Sequence, residues 1–192
     1  MNLFYKIIGK NNKELAFSKA LINFLQNKEV MARFVKKVLR LNNFDKEAYS
    51  IELDEKNAFL FISCPEHYIV FELMVNKTHS ELLSENNVKK YVLDGQKTNV
   101  TKSGYVMFPN SIGQSIAAQC RKAPFSEYCR LITYKHVHSF FDELKDSDIL
   151  SETERKYLRA YLAKMKPYTK EPYKKRSFAF VLKSKLKKLF LK

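Results

Sequence analysis

The stretch EHYIVFELMVNK, Glu66 to Lys77, holds one carboxylate, Glu72, inside an otherwise apolar run. An acid in such a place has two uses. It can ligate a hard cation or move a proton in a cleft. Or it is a structural charge paired with a lysine or hydroxyl, because a buried charge must be compensated. Either use needs a partner group on the same face. Lys77 is badly placed, because on a strand of period two Glu72, Met74 and Asn76 share a face and Lys77 points the other way. The preceding run NAFLFISC, residues 57–64, contains no acid at all.

Other chemistries find less support. His136 and His138 in HVH share a face on a strand but not on a helix, and no third ligand accompanies them. Cys64, Cys120 and Cys129 are odd in number and lack CxxC spacing, so reduced thiols are expected. No local pattern joins a Cys to a His for nucleophilic catalysis. The GQS at Gly113 to Ser115 lacks the glycines of a phosphate loop.

The elements that would position these groups follow from periodicity. KELAFSKALINFLQNKEVMARFVKKVLRL has helical spacing at Leu15, Leu21, Ile22, Phe24 and Leu25, then at Val30, Phe34, Val35, Val38 and Leu39, with a break near Gln26–Lys28. AYSIELDE and NAFLFISC read as strands joined by a polar turn. YIVFELMV reads as a strand buried on both faces. SELLSENNVKKYVLDG predicts a helix, SGYVMFPN a strand, IGQSIAAQCRKA a helix and YCRLITYKHV a strand. HSFFDELKDSDILSETERKYLRAYLAKMK predicts two helices, the second opened by Ser151 with Glu154 in a capping box. The fold class is therefore α/β, a central mixed sheet flanked by helices, with an N-terminal helical pair and a basic C-terminal helix.

This order resembles the PD-(D/E)XK nuclease superfamily, the restriction-endonuclease-like proteins, and in particular a bacterial group with an N-terminal helical pair. KELAFSKALINFL is similar to that group's first helix, with Glu14 and Ser18 at its acid and polar positions. NAFLFIS falls on the strand that carries the catalytic Asp, and YIVFELMV on the strand that carries Glu-x-Lys. ENNVKKYV resembles the next helix, with Asn86, Asn87 and Tyr91 at its Asn, Gln and Tyr positions, and CRLITYKHVHSFFDEL the late strand and helix. The resemblance spans residues 1–165, a nuclease-like domain, and leaves 166–192 as a basic linker and amphipathic helix. It implies that Asp and Glu hold a divalent metal while Lys positions the attacking water. Here Phe59 stands at the Asp position, Glu72 keeps the Glu, and Met74 replaces the Lys. A phenyl ring and a thioether are poor company for Mg²⁺, which wants oxygen ligands in near-octahedral geometry. The expectation is a pseudo-nuclease that acts by binding, with no cofactor. The alternative is an active metal-dependent endonuclease using Mg²⁺ and a residual or migrated site of Glu72 and Glu14, with Asp54 or Glu55 as other substitute acids and the lysine supplied by Lys89 or Lys90 of the next helix, as in some members of that superfamily. Under either reading Asn87 and Tyr91 are candidate binding residues.

The 192 residues are 45% apolar and carry a net charge of +15, as suits a globular chain. The charge is uneven. Residues 164–192 hold eleven Lys/Arg and one acid, Glu171, for +10, leaving +5 for the rest. Such asymmetry points to an anionic partner, nucleic acid or membrane surface, and the bland reading is a solvated tail. KPYTKEPYKK, residues 166–175, is either an extended linker stiffened by Pro167 and Pro172 or a stacking platform with Tyr168 and Tyr173 among lysines. Lys174, Lys175, Arg176, Lys187 and Lys188 are the candidate anion contacts. In SFAFVLKSKLKKLFLK, Phe178, Val181, Leu182, Leu186, Leu189 and Phe190 gather on one side of a helix, as in a segment lying on an anionic membrane. Docking on the body or on another subunit, or a phosphate-contacting arm, are rival readings. A protein partner or a homodimer is also compatible. No apolar run of about 18 residues and no secretory leader is seen, so a cytoplasmic protein, held peripherally at the inner membrane face, is expected.

Overall fold

The computed structural model describes residues 13–75, 87–94, 100–112 and 129–170. Their strands are β1 (Ser50–Asp54), β2 (Phe59–Ser63), β3 (His67–Leu73), β4 (Thr101–Phe108) and β5 (Cys129–Thr133). They form one five-stranded sheet in the order β1-β2-β3-β4-β5. The first three strands are an antiparallel meander, and β3, β4 and β5 run parallel. The helices are α1 (Lys13–Leu25), α2 (Lys28–Phe34, continued by a π-helical turn Val35–Leu39), α3 (Asn87–Asp94), α4 (Tyr134–Leu144) and α5 (Glu152–Met165). The chain is thus of the α/β class, a mixed sheet flanked by helices.

Two apolar layers hold it. Leu60, Ile62, Ile69, Phe71, Tyr105, Met107 and Ile132 face α1, α2, α4 and α5. Aromatic edges knit that layer, with Phe17–Tyr134 and Phe17–Tyr161 both at 5.7 Å and Phe34–Phe140 at 5.5 Å between centroids. Phe59, Val70, Met74 and Val106 face the other way, against Val88 and Val92 of α3. The central strand β3 therefore buries both faces, which is why its sequence is apolar almost throughout.

Local chemistry sets the boundaries. The helical pair breaks at Asn27, whose side-chain oxygen accepts the N–H groups of Glu29 (3.1 Å) and Val30 (3.3 Å). Ser151 and Glu154 form the expected capping box on α5. Two expectations shift. The predicted strand YCRLITYKHV stops at Thr133, whose hydroxyl accepts the N–H of His136 and caps α4, so Tyr134 onward is helical. Apolar spacing at Tyr134, Val137, Phe141 and Leu144 then wins over the β-propensity of the run. Residues Lys166–Thr169 are a 3₁₀ turn rather than extended linker. Tyr168 packs on Phe17 (5.6 Å) and Tyr134 (5.2 Å), so the packed body continues past residue 165.

The helix expected over residues 112–123 and the segments 1–12 and 171–192 fall outside the described residues, Ile112 excepted. So do Cys120, Asn86 and the start of the helix ending at Asp94. Cys64 and Cys129 are both buried. Among the described residues, no helix is long and apolar enough to cross a membrane.

Candidate functional site

The sheet register lines up one row of side chains on the α3 face. Asp54 of β1 pairs with Phe59 of β2, Phe59 with Glu72 of β3, and Glu72 with Val106 of β4. Alternation along β3 sends Phe71 and Leu73 to the opposite layer and keeps Val70, Glu72 and Met74 together. Glu72 is 5% exposed, Phe59 1% and Met74 2%. The carboxylate is thus enclosed, with an aromatic ring directly across the ladder and a thioether two residues along its own strand.

Asp54 is the nearest acid in that row, two strands away, which at the usual spacing is about 10 Å between backbones. Phe59 stands between the two carboxylates. Asp54 is moreover committed to its turn, accepting the Lys56 N–H at 3.0 Å, the Asn57 N–H at 3.3 Å and the Asn57 side-chain amide at 2.7 Å. The Asn57 amide chiefly, joined by the turn's N–H groups and the Tyr91 hydroxyl, holds its pKa below the ordinary carboxylate value against the opposing effect of burial. Tyr91 of α3 covers the Asp54–Phe59 side of the row. Its ring lies 5.0 Å from Phe59 and 5.2 Å from Phe61, and its hydroxyl donates to Asp54 at 3.4 Å. Burial, then the Asp54 charge, raises the Tyr91 phenol.

The first helix reaches the same end of the sheet. The Ser18 hydroxyl, fully buried, donates to the carbonyl of Ala58 at 3.1 Å, just before Phe59. The Glu14 carboxylate accepts the N–H of Val75 at 2.8 Å, just beyond Glu72. So α1 is pinned to the start of β2 and the end of β3 by the two residues singled out in the sequence. Glu55 is drawn outward instead, into an ion pair with Lys19 at 2.8 Å.

Of the candidate lysines, only Lys90 has a described side chain, and it does not join the row. Val88, Tyr91 and Val92 turn toward the sheet, and Lys90 is exposed on the other side of α3. Lys89 and Asn87 lie on α3 by backbone, and their side chains are outside the described set. Lys77 also lies outside it, as do Lys174, Lys175, Arg176, Lys187, Lys188 and the apolar positions Phe178, Val181, Leu182, Leu186, Leu189 and Phe190. His136 and His138 sit on α4, where two residues apart is about 200° around the axis, so they do not share a face. Among the described residues, no group of three His, Cys, Asp or Glu side chains is placed to hold a metal ion.

The resemblance set Phe59 and Met74 with Glu72 and named Tyr91 as a binding residue, but did not foresee its packing on Phe59 and its bond to Asp54. Its spacing from Val88, three residues along one helical face, was a further signal. Chemically the row offers one enclosed carboxylate, an aromatic lid and an outlying hydrogen-bonded Asp. Compared with protein-family models, curated proteins and solved structures, the chain matches none of them.

Proposed function

We propose that the chain is a restriction-endonuclease-like protein of the PD-(D/E)XK type whose cleavage site has decayed, and that it acts by binding a protein or a nucleic acid. The observation that carries this reading is the burial of Phe59 directly opposite Glu72. The resemblance puts the metal-binding Asp at Phe59 and the Lys at Met74. The meander β1–β2–β3 followed by parallel strands, and the two hydrogen bonds of α1 at that end of the sheet, support the same alignment.

Mg²⁺ takes oxygen ligands at about 2.0–2.1 Å in near-octahedral geometry. Glu72 supplies oxygen; the Phe59 ring and the Met74 thioether supply none, and Asp54 is held beyond the ring. The described residues therefore do not fit the ion. With the +10 of residues 164–192, the reading gives the protein an anionic partner and a peripheral place at the cytoplasmic face of a membrane.

The alternative is an active metal-dependent endonuclease with a rearranged site. The placement of Glu14 at Val75, just past the end of the strand of Glu72, is what favours it. Incubation of the purified chain with supercoiled DNA, single-stranded DNA and RNA, in Mg²⁺ or Mn²⁺, separates the two. No cleavage of any substrate is expected, alongside retarded migration of at least one of them or capture of a protein. Cleavage that disappears in Glu72→Ala would overturn the proposal and establish the alternative.

A further inference from the structure

On the sheet face opposite Glu72 there is a cleft of about 610 Å³ between the end of α2 and α4, floored by β4 and β5. Its lining brings together Lys37, Arg40, Arg130 and His136, with Glu143 as the one acid. Lys37 pairs with Glu143 at 2.8 Å, but both side chains are more than half exposed, so the pair is weak and exchangeable. The formal balance of the lining is +2 with His136 neutral. Leu39, Tyr105 and Phe140 supply apolar wall. The volume lies within the range of small-molecule sites, about 300–1,000 Å³.

Arg40 stands where the fold does not call for an arginine, and Arg130 is tied to the same corner of the sheet. Arg40 ends the π-helical turn at φ 57°, ψ 39°, the left-handed region. Glycine holds that cap at no steric cost, and asparagine at little. A cation beside the helix C-terminus gains from the dipole, but the preceding Lys36 and Lys37 already provide that charge. Arg130 sits on β5 against the Tyr105 hydroxyl, which itself donates to the Leu39 carbonyl at 2.9 Å. That hydroxyl ties the π-helical turn to β4, so Arg40 and Arg130 are presented from elements locked to each other. Two exposed guanidinium groups carried on a fixed backbone at the mouth of one cleft, with a lysine and an imidazole in the same lining, suit the oxygens of a phosphomonoester better than any neutral group.

We infer that this cleft is a binding site for a small organic phosphate, the phosphoryl group held by Arg40 and Arg130 and the organic part lying on the apolar wall. The inference stands independently of the proposed function. The phosphomonoester can be free, as in a mononucleotide, or the headgroup of phosphatidic acid.

Calorimetric titration of the full chain with adenosine 5′-monophosphate, inorganic phosphate and adenosine tests the free form. Flotation with phosphatidylcholine vesicles, with and without phosphatidic acid, tests the lipid form. Arg40→Gln combined with Arg130→Gln leaves the basic residues 164–192 intact, so binding by that tail alone is unchanged in the variant. Loss of two charge-assisted contacts is expected to weaken binding at least tenfold. Glu143→Gln frees Lys37 and is expected to tighten it, an effect that misfolding does not produce. Monophosphate binding that follows both variants supports a free ligand. Vesicle binding alone following them supports the lipid source. If neither probe responds to the variants, or adenosine binds as well as its monophosphate, the inference is wrong.

Discussion

Phe59 is the residue on which most turns, because one ring separates two carboxylates and fills the layer under α3. Replacing a buried Phe with a small residue costs about 3–5 kcal/mol, and an added carboxylate beside Glu72 costs more by repulsion. Phe59→Asp should therefore melt well below the parent in a chelating buffer. It also places an acid on the strand next to Glu72, the arrangement that a divalent ion bridges. Micromolar to millimolar Mn²⁺ is expected to recover part of the lost melting temperature in the variant and to leave the parent unmoved. A variant indifferent to Mn²⁺ would mean that Glu72 does not face residue 59 as a ligand. The sequence associated Phe59 with Glu72 only through the resemblance, at the position of that family's Asp, and their direct opposition comes from the sheet register. The left-handed Arg40 was not legible in the sequence, because nothing in LRLNNF marks a cap without glycine. Nor were Arg130 and Arg40 visible as neighbours, being brought together only by β5 and the end of α2.

At the scale of elements, α1 decides the geometry of that end of the sheet. Its two hydrogen bonds, Ser18 to Ala58 and Val75 to Glu14, fix where β2 begins and β3 ends. Ala58 holds a positive φ of 59°, and its carbonyl is turned to Ser18 inside the packed layer. Ser18→Ala leaves that carbonyl buried without the hydroxyl, a loss of about 1–3 kcal/mol in chemical denaturation at unchanged denaturant slope. A neutral result would show that water replaces the hydroxyl and that α1 is not anchored there. Helix α1 and strand β3 were both readable from apolar periodicity. The switch from β5 to α4 was not, because CRLITYKHV is rich in β-formers and only the Thr133 hydroxyl decides where the strand ends. The 3₁₀ turn after α5 was hidden for another reason. Two prolines and lysines suggest a linker, while Tyr168 finds its place against Phe17 and Tyr134, far away in sequence.

At the scale of the molecule, charge is divided between a body of modest excess and a strongly basic end. Two cationic features therefore compete for any anionic surface, the cleft beside β5 and residues 164–192. They differ in what salt does to them. Lysines meeting a lipid surface through solvent are screened over about 8 Å at physiological ionic strength, whereas guanidinium groups forked onto a phosphoryl group in a cleft are screened less. An amphipathic segment has a second source of affinity, apolar burial at roughly 25 cal/mol per Å², which salt does not remove. The full chain is expected to pellet with vesicles rich in phosphatidylserine, and a chain ending at Arg176 to pellet several-fold less at low salt. Raising the salt should weaken the full chain only in part. Leu186→Asp, which keeps every lysine, should abolish that salt-resistant fraction. Loss of all binding in salt would leave residues 177–192 as a solvated basic arm, and equal pelleting of the two chains would move the membrane contact to the body.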